Sequence, residues 1–288
     1  MKRKIILCPN PLRDLKLEYA RKVYKLLAYS GHQLEICPVT DDYDVSDLPG
    51  GVVPKKLKDV CADADMLITF GGDGTIMNVA REAISFNVPI LAINLGTKGF
   101  MAEVEPDEFD LIAKAANGDY TLDHRMMLSV KVERKGEIVF TDFALNEATI
   151  GGSMARMITV TIFGDGKKIS GFAGDGVVIA TPTGSTAYSM SAGGPIVEPM
   201  AENILVTPIC AHDLLAKSFV LRPERKVTVL IGPLDKRYAY LSEDGWPPFD
   251  LEAGDKVLIE RSIYDTTLVR VSNKSFYEKV SEKLGEGR

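Results

Sequence analysis

The stretch from Met66 to Ile84 constrains this chain more than any other. Met66-Leu67-Ile68-Thr69-Phe70 is an apolar run of the length of a buried strand. Gly71-Gly72-Asp73-Gly74-Thr75 follows at once, and Thr75 to Ile84 has the pattern of a helix. A strand that enters a helix through three glycines has a bare backbone at the junction. Such a backbone lets a phosphate approach closely, and a helix N-terminus offers it unpaired N–H groups and a partial positive charge. The charged side chain in the turn, Asp73, repels phosphate and so calls for a reason. It either binds a magnesium ion or accepts a proton from a hydroxyl about to be phosphorylated. The plainer alternative is a tight turn in which Asp73 caps the helix.

Around this junction the N-terminal part alternates strand and helix. Lys4 to Cys8 reads as a strand, and Asn10-Pro11 as a turn. Leu17, Ala20, Tyr24, Leu27 and Ala28 recur at helical spacing, with Gly31 where a helix stops. Gln33 to Cys37 and Pro89 to Asn94 are further strands, Asp41 to Pro54 is a surface loop, and Leu57, Val60 and Cys61 suggest a short helix. Leu95 to Phe100 is a second glycine-bearing turn, and Pro106 opens a helix that Asn117-Gly118 closes. Strands alternating with helices imply a parallel sheet covered on both faces.

Near residue 120 the pattern changes. Leu128 to Glu133 alternates with period two, Lys135-Gly136 turns the chain, and Glu137 to Phe143 returns. Met157 to Phe163 is a strong strand followed by the hairpin turn Asp165-Gly166. Gly176–180, 227–231, 238–242, 256–259 and 267–271 read as more strands, and Ser275 to Leu284 as a terminal amphipathic helix. The expected architecture is an α/β N-terminal domain with a parallel sheet over 1–120, then a mostly-β domain over 121–265, with 266–288 as a tail. A length of 288 residues exceeds a single core and supports two domains.

Composition narrows the function classes. A net charge of -6 without any basic run argues against a nucleic-acid partner. Cys8, Cys37, Cys61 and Cys210 lack any pair spacing, which suits a reducing cytoplasm and neither a zinc site nor a disulfide framework. Met1-Lys2-Arg3-Lys4 precedes only Ile5 to Cys8, which Pro9 ends, so the reading is a first strand and no signal peptide. No apolar stretch reaches the length of a membrane span.

A second unusual stretch runs from Asp175 to Pro195. A buried strand ends at Pro182, and a hydroxyl-rich turn leads into a small-residue helix that ends at Gly193-Gly194. Thr183, Ser185, Thr186, Ser189 and Ser191 either cap that helix or read the ring nitrogens and ribose oxygens of a ligand. Ser185 lacks the glycine pattern of a nucleophile elbow, and His32, His124 and His212 are the only histidines, so a serine hydrolase ranks low. A third piece, Asn146-Glu147, sits within the strand-like Ala144 to Ile150, where an amide beside a carboxylate suits either a ribose or a solvated strand end.

Taken together and in order, these three pieces resemble the NAD kinase family over nearly the whole chain. The matching residues are Gly71 to Thr75, then Asn146-Glu147, then Asp175-Gly176, Thr181 to Tyr188 and Ser191 to Pro195. The first loop alone also resembles phosphofructokinases and lipid kinases, which do not explain residues 175–195. A dehydrogenase fits less well, because Gly96-Thr97-Lys98-Gly99 is only a fragment of a dinucleotide fingerprint. A non-catalytic regulator would predict damage at Asp73, which is intact.

The resemblance implies ATP-dependent phosphorylation of the adenosine-ribose 2′-hydroxyl of NAD to NADP. It further implies a magnesium ion carried with ATP, a β-sandwich C-terminal domain, a tail returning to the first domain, and homodimers or homotetramers. By position, Asp73 resembles the proton acceptor, with Gly72 and Gly74 at the same contact. Asn146 and Glu147 resemble adenine and ribose contacts, and Thr183 and the run Thr186, Ala187, Tyr188, Ser189, Met190 and Ser191 resemble adenine and nicotinamide-ribose contacts. Asp175 resembles the partner of the nicotinamide carboxamide, and Arg156 a basic residue near the phosphates. Cys210 joins the binding positions, as does Trp246, which stands after Asp244-Gly245 where the family often has glutamine. Ala173 stands where many members have arginine, and a small residue there accompanies acceptance of NADH beside NAD.

Overall fold

The apolar runs become the strands of two separate sheet systems in the computed structural model, which describes residues 2–96, 99–152, 156–213, 215–235, 237–272 and 274–285. In chain order the strands are β1 Lys4–Pro9, β2 Gln33–Ile36, β3 Met66–Gly71, β4 Ile90–Asn94, β5 Thr121–Arg134, β6 Glu137–Ala144, β7 Glu147–Gly152 and β8 Ile158–Gly164. They continue as β9 Lys167–Gly174, β10 Gly176–Ala180, β11 Ile204–Ile209, β12 Phe219–Leu221, β13 Val227–Ile231, β14 Ala239–Glu243, β15 Phe249–Leu251 and β16 Lys256–Arg270. The α-helices are α1 Glu18–Tyr29, α2 Leu57–Val60, α3 Asp73–Glu82, α4 Phe109–Ala116, α5 Tyr188–Ser191 and α6 Phe276–Gly285. The chain divides into two compact units, Met1–His124 with Thr266–Arg288, and Arg125–Asp265.

In the first unit β2, β1, β3, β4 and the C-terminal part of β16 lie side by side, each neighbouring pair parallel. Period-two alternation sends Ile5, Leu7, Met66, Ile68 and Phe70 into one core with Ala20, Val23 and Leu27 of α1 and Ile112, Ala115 and Ala116 of α4. The intervening Ile6, Leu67 and Thr69 are also fully buried, as a parallel sheet covered on both faces requires. Burying that many aliphatic side chains, at roughly 1.5–3 kcal/mol each, is what holds this layer together.

The second unit is a β-sandwich. One sheet runs β6, β5, β16, β13, β8, β9, and the other β12, β11, β10, β7, β14, β15. Leu128, Val130, Val160, Ile162, Val229 and Val257 from the first meet Ile150, Val177, Ile179, Val206 and Leu241 from the second in one core. Lys135-Gly136 and Asp165-Gly166 take positive φ at both positions, the geometry that two-residue hairpins favour.

Several expectations are corrected. Pro106 does not open α4, which starts at Phe109 after a turn. The small-residue helix after Pro182 is only a 3-10 turn, Thr183–Thr186, plus the single turn of α5. Ala144 to Ile150 is not one strand, because the chain bends at Leu145-Asn146 between β6 and β7. The strands expected at 256–259 and 267–271 are one continuous β16. Of the turn at Leu95 to Phe100, residues 97 and 98 lie outside the described residues, as does Ala155 beside Arg156.

Candidate active site

In the first unit the glycine turn joins β3 to α3 at the carboxyl end of the sheet, where ligands of parallel α/β sheets bind. The helix starts at Asp73, two residues earlier than its apolar pattern suggests, and Gly72 is its cap residue. Asp73 therefore does not cap α3. Its carboxylate instead accepts hydrogen bonds from Phe100 N at 2.8 Å and Met101 N at 3.3 Å.

The glycines of this turn differ in purpose. A Cβ on Gly71 would fall on the Thr75 side chain, whose hydroxyl accepts from Asn10 Nδ2 at 2.9 Å. A Cβ on Gly99 would fall on the Asp73 carboxylate, and Gly96 lies backbone to backbone with Gly72. Gly74 alone of the three in the turn has open space where a side chain would be. In a helix interior glycine costs about 0.8–1 kcal/mol relative to alanine, so packing gives no reason for Gly74. Thr75 N–H already donates to Gly72 O at 2.9 Å, while the Asp73 and Gly74 N–H groups precede the helix ladder and edge that open space with partial positive charge.

In the second unit the corner between β6 and β7 carries Asn146 and Glu147, each 8% exposed. Asp244 builds this corner. Its carboxylate accepts from Leu145 N at 2.7 Å, Asn146 N at 2.8 Å and Glu147 N at 3.0 Å. Asp244 and Gly245 both take positive φ, which turns the chain back at the end of β14. Trp246 ends that turn, donating its N–H to Glu243 O at 2.8 Å while its own carbonyl accepts from Ser242 Oγ at 2.7 Å. A Cβ on Gly184 would overlap the Asn146 backbone, with its Cα at 2.8 Å, so only glycine brings the Thr183–Thr186 turn this close to the corner.

Tyr188 is where the second unit's site residues gather. Burial pushes its phenol up, and Tyr240, Cys210, Asp175 and Glu147 around it push the same way. The Cys210 thiol donates to Asp175, which holds its pKa up. Tyr240 was not foreseen from sequence. Its hydroxyl lies 2.8 Å from where a Cβ on Gly151 would stand, so that glycine is the available signal. Ala173 is half-buried in β9 opposite Thr159, and its carbonyl accepts from His212 N at 2.8 Å. Arg156 is exposed just after the undescribed residues.

Some of the hydroxyls are spent inside the fold. Ser189 is fully buried with its Oγ 2.9 Å from Thr207 Oγ1, and Ser185 Oγ bridges the backbone of Val197. Thr183 Oγ1 accepts from Arg125 at 3.3 Å. Thr186 Oγ1 donates to the Thr183 carbonyl. Ser191 is exposed, and Tyr188 is 42% exposed.

Burial, reinforced by the Asp244 carboxylate, pushes the Glu147 carboxyl up to about 8, although the Tyr188 N–H donates to it and pulls the other way. Glu147 Oε2 is buried with no hydrogen-bond partner among the described residues. The folded protein thus keeps a proton here that the unfolded chain releases near 4.5. Because the folded state binds the extra proton in that window, stability from this group is complete below about 4.5 and falls as pH rises toward 8. The slope is at most ~1.4 kcal/mol per pH unit. Urea midpoints of the native protein should fall from pH 4.5 to 8 more steeply than those of Glu147→Gln, which lacks the titrating proton. Parallel slopes would remove the proton from Glu147.

A strand–glycine turn–helix junction with a loop-anchored carboxylate, and a sandwich with a buried acid beside a tyrosine, define a nucleotide-dependent phosphotransferase. Residues 5–120 match the family profile described as ATP-NAD kinase N-terminal domain, and residues 145–271 that of the ATP-NAD kinase C-terminal domain. A NAD kinase of Thermoanaerobacter pseudethanolicus is 37% identical over 286 residues, 99% of each chain. One of Geobacter sulfurreducens is 39% identical over 239 residues, 82% of this chain and 83% of its own. Among solved structures, the yeast NADH kinase complexed with NADH superimposes with a TM-score of 0.87 at 26% identity, covering 99% of this chain and 88% of that one. An NAD kinase from Archaeoglobus fulgidus shares the fold, with a TM-score of 0.75 at 24% identity and 98% of both chains covered. The chain belongs to the ATP-NAD kinase family.

Proposed function

We propose that the chain transfers the γ-phosphoryl group of ATP to the 2′-hydroxyl of the adenosine ribose of NAD, giving NADP. The observation that carries this most directly is the Gly72–Gly74 turn, where backbone N–H groups and an unfilled position at Gly74 adjoin an anchored Asp73 carboxylate. The donor phosphates would lie along the start of α3. Asp73 would accept the proton of the attacking hydroxyl as the bond to phosphorus forms. Asn146 and Glu147 would hold the adenosine portion, with the protonated Glu147 able to donate as well as accept. Asp175, Tyr188 and Cys210 would face the nicotinamide portion, with Thr186, Ala187, Met190 and Ser191 lining the path between.

No three His, Cys, Asp or Glu side chains come together as a metal cage among the described residues, so a magnesium ion would travel on the ATP phosphates and water. Its contribution is to neutralise charge on the transferring group. We also propose a cytoplasmic homodimer or homotetramer, a reading supported by four free cysteines and by Ile138, Val139 and Ile263 exposed on the sandwich. No helix among the described residues is long and apolar enough to cross a membrane. The deciding experiment is NADP formation from NAD, ATP and magnesium, and a pure protein that makes none overturns the reading.

Ala173 supports acceptance of NADH as a second substrate, as does the likeness to the yeast NADH kinase. NAD and NADH differ by one positive charge and by ring planarity. An arginine here would crowd the ring and pair with Asp175, whereas alanine leaves room for the puckered reduced ring. Asp175 still favours the cationic ring. Turnover on both is expected, with NADH worse by about 1–3 kcal/mol in kcat/KM. Ala173→Arg should widen that gap, and an unchanged NAD-to-NADH ratio would show that this position does not set the choice.

A further inference from the structure

We propose that Lys283, near the end of α6, is a positioning residue for phosphoryl transfer whose ammonium carries positive charge to the donor phosphates beside Asp73. The proposal rests on the reading of Asp73 as the proton acceptor. A base at this place creates an electrostatic problem, because a carboxylate must stand next to an incoming polyphosphate. The partial charge of one helix terminus offsets only about half an elementary charge.

The structure holds a lysine in the right neighbourhood by a fixed route. Glu103, 8% exposed, accepts from Arg270 Nη1 at 2.9 Å, Val271 N at 3.0 Å and Ser272 N and Oγ at 2.7 Å each. Lys279 joins this cluster, donating to Glu103 Oε2 at 3.2 Å and to Ala102 O at 3.1 Å. That clamps α6 against the segment that follows the Asp73-binding loop. Residues four apart share a helix face, so Lys283 projects from the same side one turn on. Its Nζ stands 5.0 Å from the Phe100 ring centroid, and the Phe100 N–H is the group that holds Asp73 Oδ2.

Lys283 also lines a narrow cleft with Asn94, Gly99 and Lys279, on whose walls Glu103, Glu105, Glu108 and Glu282 also stand. The charged groups that act on it are Asp73, Glu105 and Glu282, with Lys274 opposing. Among the described residues none of these carboxylates closes on it as an ion pair, in contrast to Lys279, which Glu103 holds. A half-buried ammonium that is anchored over a ring, near Asp73 yet unmatched by an ion pair, is suited to a ligand's charge. Lysine binds phosphate as a compact point charge.

The test compares Lys283→Met and Lys283→Arg with the native enzyme, titrating ATP and NAD separately. Lys283→Met should raise KM for ATP, or lower kcat, by tenfold or more, with KM for NAD unchanged within twofold and the melting temperature preserved. Lys283→Arg should recover most of the loss. Calorimetric titration with a magnesium complex of a non-hydrolysable ATP analogue should show the same weakening, and should show it equally in an Asp73→Asn background. That last arm keeps the proposal separate from the role of Asp73, since donor binding is read without turnover. Unchanged ATP parameters in Lys283→Met, equal behaviour of the Met and Arg variants, or a joint rise of both KM values with a lower melting temperature would each overturn it.

Discussion

Asp73→Asn is expected to lower kcat on the order of a hundredfold or more, the usual scale for a general acid–base group, while NAD affinity stays nearly unchanged. Asparagine keeps the size of the side chain and one carbonyl oxygen. It can therefore still accept one of the two N–H groups, from Phe100 or Met101, that anchor the native carboxylate. The other N–H would face an amide NH2, at a cost of about 1–3 kcal/mol if no water replaces the contact. The loop should thus loosen slightly at Phe100 and Met101 without unfolding. Steady-state kinetics with calorimetric titration of NAD separates the chemical from the structural loss. A variant that turns over near the native rate would remove Asp73 from the proton transfer.

Asp244→Ala should strongly destabilise the second unit. Three backbone N–H groups, from Leu145, Asn146 and Glu147, would lose one charged acceptor. Hydrogen bonds to charged groups contribute about 1.5–3 kcal/mol each, and solvent entering the corner would recover part of that. A net loss of roughly 3–5 kcal/mol in urea unfolding is the expectation, at the upper end for a point mutation. NAD affinity should fall as well, because the backbone that orients Asn146 and Glu147 is released. The Glu147 carboxyl should titrate lower, since a neighbour that pushes it up is gone. A loss below about 1 kcal/mol would show that the corner is held by other contacts.

The parallel sheet of the first unit was legible because its central strands are short, mostly apolar and separated by recognisable helices. Met66 to Phe70 is buried on both faces, and its run of apolar residues says so directly. The sandwich was harder to read. Ile204–Ile209 contains Pro208 and follows a polar stretch, so pattern alone did not mark β11. Lys256 and Leu268 belong to one strand, yet the polar residues between 260 and 267 interrupt the alternation. The site was legible where residue type carries the chemistry, as at Asp73 and Glu147. It was illegible where a residue acts through the backbone of others. Asp244 reads as one half of an ordinary turn, and only the folded corner shows what its carboxylate accepts. Ser189 shows the converse, a hydroxyl in a promising run that faces Thr207 instead.

The continuous strand β16 also has a bearing on synthesis. Its residue Leu268 pairs with Ile90 of β4, while Val269 and Val271 complete the core that α1 and α4 cover. On the ribosome, Glu103 and Val104 bond the Ala92–Asn94 half of β4 early. Its Ile90 end gains its β16 neighbour only after more than 170 further residues, so this part of the apolar rim stays open through most of translation. The stretch that seals it emerges only after the whole second unit has been made. A polypeptide stalled before residue 268 would present that rim to other chains, making early arrest a route to aggregation rather than to a half-working fragment.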